Sequence, residues 1–451
     1  MNASDAELSG SDHRVIGRQM EIFASDPQIG SGLPLWRPAG AVIRRELEQF
    51  ARQLAVETGC QGVYSPVLAK RELYERSGHW AKFSEDMFPP MDLGGDQLVL
   101  RPANCPHHAL IYAAEQHSYR ELPIRYNELA PMFRAERSGV LSGLSRVRQI
   151  NLDDTHVFCR ADQIADEVSL ALNGILRALD VLDIKINYLR LSRRDAGDGY
   201  LGSDQQWQDA EQQLRSVLAE VEHGSRFEVR EAPGEAAFYG PKIDVQVSDV
   251  RGHEETLATV QLDFNQPERF GLDYIAADGS RQPVIMIHRG MLGAMERMIG
   301  FLLELHDGRL PLWLAPVQIA LLPVHLGDDD HVHRVADRLR RRGLRVRIES
   351  DGSLGRRIRA SRVRRDALIG VIGDAEVSHD HVAVDDLRSG DRVRMGVDEL
   401  AELLAAAVAE RAKQVPWPDL DDAAHSDAAR PDAARPDADP ADGAQAFAPT
   451  G

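Results

Sequence analysis

Apolar residues recur at helical spacing between 40 and 59. Val42, Ile43, Leu47, Phe50, Ala51 and Leu54 fall on one stripe, which predicts an amphipathic helix. A β-rich run follows and stops at Pro66. Residues 124–133 and 147–158 read as two strands joined by a Gly/Ser/Arg-rich loop. Residues 284–288 read as a buried strand, and 293–305 as a helix carrying Arg297. Two more helices are predicted on the outside of the same unit, at 164–182 and 204–223. Beyond Pro316 the pattern changes. Strands at 317–323, 344–348, 367–372 and 382–384 alternate with helices at 331–342, 354–365 and 397–411, which indicates a separate α/β domain.

Composition narrows the class. A chain of 451 residues, 43% hydrophobic, can build two or three cored domains. No apolar run approaches membrane-spanning length. Residues 1–13 are polar and acidic, unlike a secretory signal. Three cysteines (Cys60, Cys105, Cys159) offer no disulfide framework, which fits a reducing cytoplasm. A net charge of −18, taken whole, argues against a nucleic-acid binder. The charge is uneven, however. Between 334 and 365 thirteen arginines face only Asp337, Glu349 and Asp351. Such a run is usually a solvated helix face. From Pro416 onward Pro, Ala and Asp dominate, with eight aspartates against two arginines, the composition of a disordered tail.

Candidate chemistry centres on Cys105, His156 and His288. One thiol and two imidazoles are the donors of a zinc site with its fourth position open. Their spacing alone does not join them. A series of short segments does: Asn104-Cys105-Pro106-His107-His108, Ser142-Gly143-Leu144-Ser145-Arg146, Phe238-Tyr239-Gly240-Pro241-Lys242, Val260-Gln261-Leu262-Asp263-Phe264 and Pro311-Leu312-Trp313. In this order, residues 12 to 412 resemble the catalytic and anticodon-binding parts of threonyl-tRNA synthetases, which are class II aminoacyl-tRNA synthetases. The resemblance is to a short form without the N-terminal TGS and editing domains. It implies an α+β catalytic domain built on the class II antiparallel sheet, followed by a smaller α/β anticodon-binding domain. The expected division is a disordered 1–12, a catalytic domain at 13–314, an anticodon-binding domain at 315–413 and a disordered 414–451.

The same resemblance implies roles. Cys105, His156 and His288 would hold one zinc ion per subunit. Arg134, Arg297 and Lys242 would be catalytic. Arg134, Glu136, Arg146, Gln261 and Arg297 would bind ATP with its Mg2+, Glu136 accepting from the adenine amine. Asp154, Tyr239 and Gln261 would bind threonine, and Arg359 and Glu376 would contact tRNA. Because the arginine run at 334–365 falls in the segment that resembles an anticodon-binding domain, a phosphate-contacting patch is the better reading of it. The implied activity is a threonine–tRNA ligase acting on ATP, L-threonine and tRNA(Thr). It would be cytoplasmic, with no membrane contact, and homodimeric through the helix–strand unit that ends at Pro66. Zinc would separate threonine from valine, because a site built to bond a hydroxyl rejects the analogue lacking it by roughly 10⁴ or more. Serine also carries the hydroxyl, and no editing in cis is expected.

Several positions depart from the family pattern. Ala103 stands where Met is usual, Ile150 where many members have Phe, and Leu152 where some have Gln. Ala294 replaces a small hydroxyl residue. Asp385 lies where the family has a base-reading arginine. These departures suggest a specialised or inhibitor-tolerant paralogue. They leave open a ligase with another acceptor, or a non-catalytic RNA-binding paralogue.

Overall fold

The computed structural model describes residues 10–418 except 198, 225–226 and 326–328. An eight-stranded sheet organises the first part. Across it the strands run Glu228–Pro233, Ile186–Arg193, Lys242–Ser248, Glu254–Asp263, Ile285–Gly290, Gln149–Cys159, Ile124–Phe133 and Gln61–Gly62. Neighbours are antiparallel except for the outermost pair at each edge, which is parallel.

Alternation along these strands separates a packed face from a working face. Val157, Ile287, Val260, Leu262 and Ile243 point to one side and join the main core. Helices Pro38–Glu57, Ile164–Val181, Asp204–Gly224 and Met295–Leu305 cover that side. Five of the six residues of the stripe read from the sequence are buried, and Val42 is half-buried. Ile43, Leu47 and Leu54 of Pro38–Glu57 are fully buried, each contributing about 1.5–3 kcal/mol of transfer free energy.

On the opposite face a second cluster gathers Phe158 and Met286 of the sheet with Ala109 and Tyr112 of helix Cys105–Ala113. Tyr112 stacks on Phe158 with ring centroids 4.5 Å apart. Both faces of the strand around 284–288 are therefore covered there, which explains its unbroken apolar reading.

The second sheet has five strands in the order Val346–Ile348, Ile319–Pro323, Leu368–Ile372, His381–Asp386 and Arg392–Gly396. The first three are parallel and the last two antiparallel. Two elements here were not anticipated, helix Asp374–His379 and the edge strand Arg392–Gly396. The first is a short polar segment. The second alternates arginine with Val393 and Met395, so its apolar content is too low to announce it.

At the chain's start, residues 1–9 lie outside the described residues. Residue Asp12, expected in a disordered stretch, instead caps helix His13–Gln19 and is buried. The acidic tail lies outside the described residues from 419 onward, while Val415, inside the expected disordered stretch, is buried.

The arginine run needs a correction. Among the described residues, nine of the thirteen bind carboxylates or backbone carbonyls of the fold itself: Arg338, Arg340, Arg342, Arg345, Arg347, Arg357, Arg362, Arg364 and Arg365. Arg345 reaches Glu46, Ala315 O and Trp313 O, and so ties the second sheet's domain to the first. Arg357 is buried against Pro323 O. Most of this charge is structural, leaving Arg356 and Arg359 among the exposed arginines of helix Leu354–Arg364.

Candidate functional site

Sheet register assembles the site. Lys242 pairs with Gln261, Gln261 with His288, and His288 with His156, so four residues from four adjacent strands stand in one row. Side chains in such a row share a face. Asp154, Leu152 and Ile150 precede His156 at intervals of two and share that face. Helix Cys105–Ala113 lies on the same face, docked through Ala109 and Tyr112, and this sets its first residue over the two histidines. One ligand atom from each of Cys105, His156 and His288 falls within 4.8 Å of the others, and all three side chains are buried.

The nitrogens are already sorted. His288 Nε2 is 2.8 Å from Asp263 Oδ2, whose other oxygen accepts from the backbone N–H groups of Asn265 and Gln266. His156 Nδ1 is 2.8 Å from His108 Nδ1. His108 Nε2 in turn lies 2.9 Å from the Asn104 amide and 3.4 Å from Glu128 Oε2. The inner nitrogens, His156 Nε2 and His288 Nδ1, are left facing each other at 3.0 Å. Outer nitrogens held by protein, with inner ones converging on a thiol, is the arrangement that orients imidazoles toward a metal. Burial pushes the Cys105 thiol well above its ordinary pKa, and the Asp154 and Asp263 carboxylates add to this. Burial likewise drives the His156 pKa well down, helped by His288 and His108. A thiol and two imidazoles converging on one point suit a dication, which favours the thiolate and the neutral rings together.

A cavity of about 590 Å³ opens beside this cluster. Arg134, Glu136, Arg146, Asp154, Tyr239, Lys242, Gln261 and Arg297 all line it, so every residue expected to meet metal, ATP or threonine is brought together. Tyr239 stacks on the His288 ring at 4.9 Å and donates its hydroxyl to Gln261 Oε1. Gly240 permits this placement, since a Cβ there would sit 1.9 Å from Leu262 O. Asp154 is buried, and desolvation, with the Asp153 and Glu128 charges adding, raises its pKa to about 8. Arg134 follows the strand Ile124–Phe133, with its backbone N–H held by Arg148 O at 2.9 Å. Its guanidinium has no ion-pair partner among the described residues. Arg297 donates to Ser145 O at 3.4 Å. Two expected ligand contacts are already engaged: Glu136 pairs with Arg146 at 2.8 Å, and Lys242 with Asp244 at 3.1 Å.

Arg359 and Glu376 lie elsewhere, in the five-stranded domain. Arg359 is exposed beside Arg309, Arg362 and Arg365 in a groove. Glu376 turns back to accept from the Gly373 N–H and pairs with Arg394 at 3.1 Å, so its carboxylate stabilises a helix start. Asp385 sits between Arg392 at 3.2 Å and Arg362 at 3.7 Å.

Sequence reasoning missed His79. Its Nε2 is 3.6 Å from Cys105 Sγ, and its Nδ1 is 2.8 Å from Ser77 Oγ. The orienting roles of Asp263 and His108 were also not read, although both lie in the segments that carried the resemblance. A lone histidine in Gly78-His79-Trp80 gives no signal of what the fold will place beside it.

The antiparallel sheet and the cavity on its working face define a class II synthetase core. The family described as the tRNA synthetase class II core domain (G, H, P, S and T) matches residues 87–306, and the anticodon binding domain family matches 318–407. Threonine–tRNA ligase of Geobacillus kaustophilus is 45% identical over 412 residues, covering 90% of this chain and 62% of that protein. Threonine–tRNA ligase 1 of Bacillus subtilis is 44% identical over 414 residues, with 90% and 63% covered. The solved RNA binding domain of threonyl-tRNA synthetase from Cryptosporidium parvum superposes with a TM-score of 0.82 at 32% identity, covering 90% of this chain and 99% of that one. The chain belongs to the threonyl-tRNA synthetase family. It spans somewhat under two thirds of the length of the bacterial relatives it matches.

Proposed function

We propose that this protein is a threonine–tRNA ligase. It would activate L-threonine with ATP and Mg2+ to the adenylate and pass the acyl group to tRNA(Thr). The observation that carries this reading is the row His156–His288–Gln261–Lys242 beside Cys105, opening into one cavity with Arg134 and Arg297. A zinc ion held by Cys105, His156 and His288 would supply a coordination site for the amino nitrogen and side-chain hydroxyl together, which valine would leave half filled. Asp154 would accept from the hydroxyl. Tyr239 and Gln261 would wall the amino-acid end. Arg134 would bridge the carboxylate and α-phosphate, and Arg297 would neutralise the γ-phosphate, because a guanidinium fork binds such oxygens at two points. Glu136 would exchange its pairing with Arg146 for the adenine amine.

Several finer proposals accompany this reading. The domain division at 13–314 and 315–413 is supported by the two separate sheets. Homodimerisation through the unit ending at Pro66 is supported by the edge strand Gln61–Gly62 and by the exposure of Tyr64 (90%) and Val56 (72%) beside it. A cytoplasmic location is supported by three free cysteines, and no helix among the described residues is long and apolar enough to cross a membrane. An inhibitor-tolerant or specialised role is supported by Ala103, Ile150, Leu152 and Ala294 all lining the one cavity. A second reading, an acceptor other than tRNA(Thr), is favoured by Asp385, whose carboxylate already holds Arg362 and Arg392.

Transfer of labelled threonine to bulk tRNA by the zinc-loaded protein tests this function. Charging confined to threonine tRNAs is the expected result. Threonine-dependent ATP–pyrophosphate exchange without charging would instead support the other acceptor, and absence of both would indicate a non-catalytic paralogue. Serine should compete. Losing one methyl group costs only about 1–3 kcal/mol, so activation of serine should fall roughly 10- to 200-fold below threonine. Seryl-tRNA formed by these two domains should then persist. Rapid hydrolysis of preformed seryl-tRNA by the purified chain would sink that idea.

A further inference from the structure

His13 ties the first described helix to the loop that carries Arg146. The backbone N–H of Leu144 donates to His13 Nε2 at 3.0 Å. An amide N–H can only donate, so Nε2 is the bare nitrogen and Nδ1 carries the ring proton. That proton goes to Glu304 Oε1 at 2.6 Å, and the same oxygen accepts from the His13 backbone N–H at 3.0 Å. His13 is buried, and Asp12 before it is gripped by Arg14 and Arg251. The loop is shaped to receive the ring. Gly143 has φ +47°, and a Cβ there would lie 2.2 Å from His13 Nε2.

The loop spans 142–146 and is closed by a bridge between Ser142 and Arg146. Three successive residues leave it in different directions. Leu144 is buried in the core. Ser145 offers its carbonyl to Arg297. Arg146 pairs with Glu136 and lines the cavity.

We propose that His13 is a positioning residue for the nucleotide. From behind the cavity it fixes the backbone of the loop, and through it the Arg146–Glu136 pair and the Arg297 contact. This rests on the reading of that end of the cavity as the ATP site.

Two variants separate the nitrogens. In His13→Asn the amide can still reach Glu304 but leaves the Leu144 N–H without an acceptor. In His13→Gln the longer amide reaches the Nε2 position and restores the acceptor while losing Glu304. In the purified full chain, the Kd for ATP by calorimetry and the KM for ATP in pyrophosphate exchange should rise about tenfold in His13→Asn, the scale of one unsatisfied buried amide. The KM for threonine should stay near that of the parent, while the melting temperature falls by a few degrees, the stability cost of the same unsatisfied amide. His13→Gln should recover ATP binding despite a lowered melting temperature, and Gly143→Ala should weaken ATP binding as His13→Asn does. Unchanged ATP binding in His13→Asn would overturn the proposal, as would equal losses of stability and of both substrates in His13→Asn and His13→Gln. A parent chain that binds no ATP would overturn the ATP reading itself, a separate outcome.

Discussion

Cys105→Ala should release the metal and reduce threonine activation at least about 10³-fold, set against the roughly 10⁴ by which a hydroxyl-bonding site rejects its isostere. Cys105 is the only thiol in the cluster, and the two histidines cannot replace it. Their outer nitrogens are held by Asp263 and His108, so neither ring can turn to offer a second donor. Two imidazoles alone leave too few ligands for a tightly held zinc. The fold should survive the change. Cys105 contributes one small side chain to a secondary cluster, and its loss should cost about 1 kcal/mol. Metal content after dialysis, threonine-dependent pyrophosphate exchange and a melting curve should therefore separate cleanly: metal lost, exchange lost, fold kept. Exchange at the parent rate in a metal-free Cys105→Ala protein would refute the metal's place in amino-acid selection.

Arg134→Ala should lower the exchange rate about 10²–10³-fold, the usual effect of removing one pre-placed group that meets charge in the transition state. Three observations single out this arginine. Its backbone is anchored to Arg148 O, just before the neighbouring strand. Its side chain lines the cavity without an ion pair among the described residues, whereas Arg146 and Lys242 are paired. Desolvation lowers its pKa and Arg297 adds to this, while the nearby Glu136 and Asp86 carboxylates oppose it. Arg134→Lys should recover only part of the rate, since an ammonium cannot bridge two groups as a planar fork does. The loss should appear in kcat more than in the KM for threonine. An Arg134→Ala protein within threefold of the parent rate would remove this residue from the chemistry.

The elements that proved legible were those with strong periodicity. The helix expected at 40–59 is Pro38–Glu57, and the strand expected at 124–133 is Ile124–Phe133. Helices at 164–182 and 204–223 are Ile164–Val181 and Asp204–Gly224. Each buries a stripe or an alternating face, so the core pattern is written along the chain. Helix Cys105–Ala113 was not read because its polar and apolar positions do not sort by burial: His107 and His108 are buried while Leu110 is exposed, which erases the amphipathic signal. The arginine run misled for the opposite reason. Charge is visible in a sequence, but the carboxylates that meet it are not. Arg338 binds Asp380 and Asp398, and Arg365 binds Asp307, partners 42 to 60 residues away in the chain.

By itself the sequence determined the donor types, the two sheets' periodicities and the family likeness, because these depend on residue identity and local order. Only the tertiary structure decided which donors meet. Cys105, His156 and His288 are far apart along the chain, and strand register together with the docking of one helix places them within 4.8 Å of one another. Which nitrogen of each ring faces inward, that Glu376 caps a helix, that His79 stands beside Cys105 and that His13 holds the loop from behind all follow from contacts between distant segments. Such contacts are fixed when apolar faces pack, and polar side chains then take the geometry that packing leaves them.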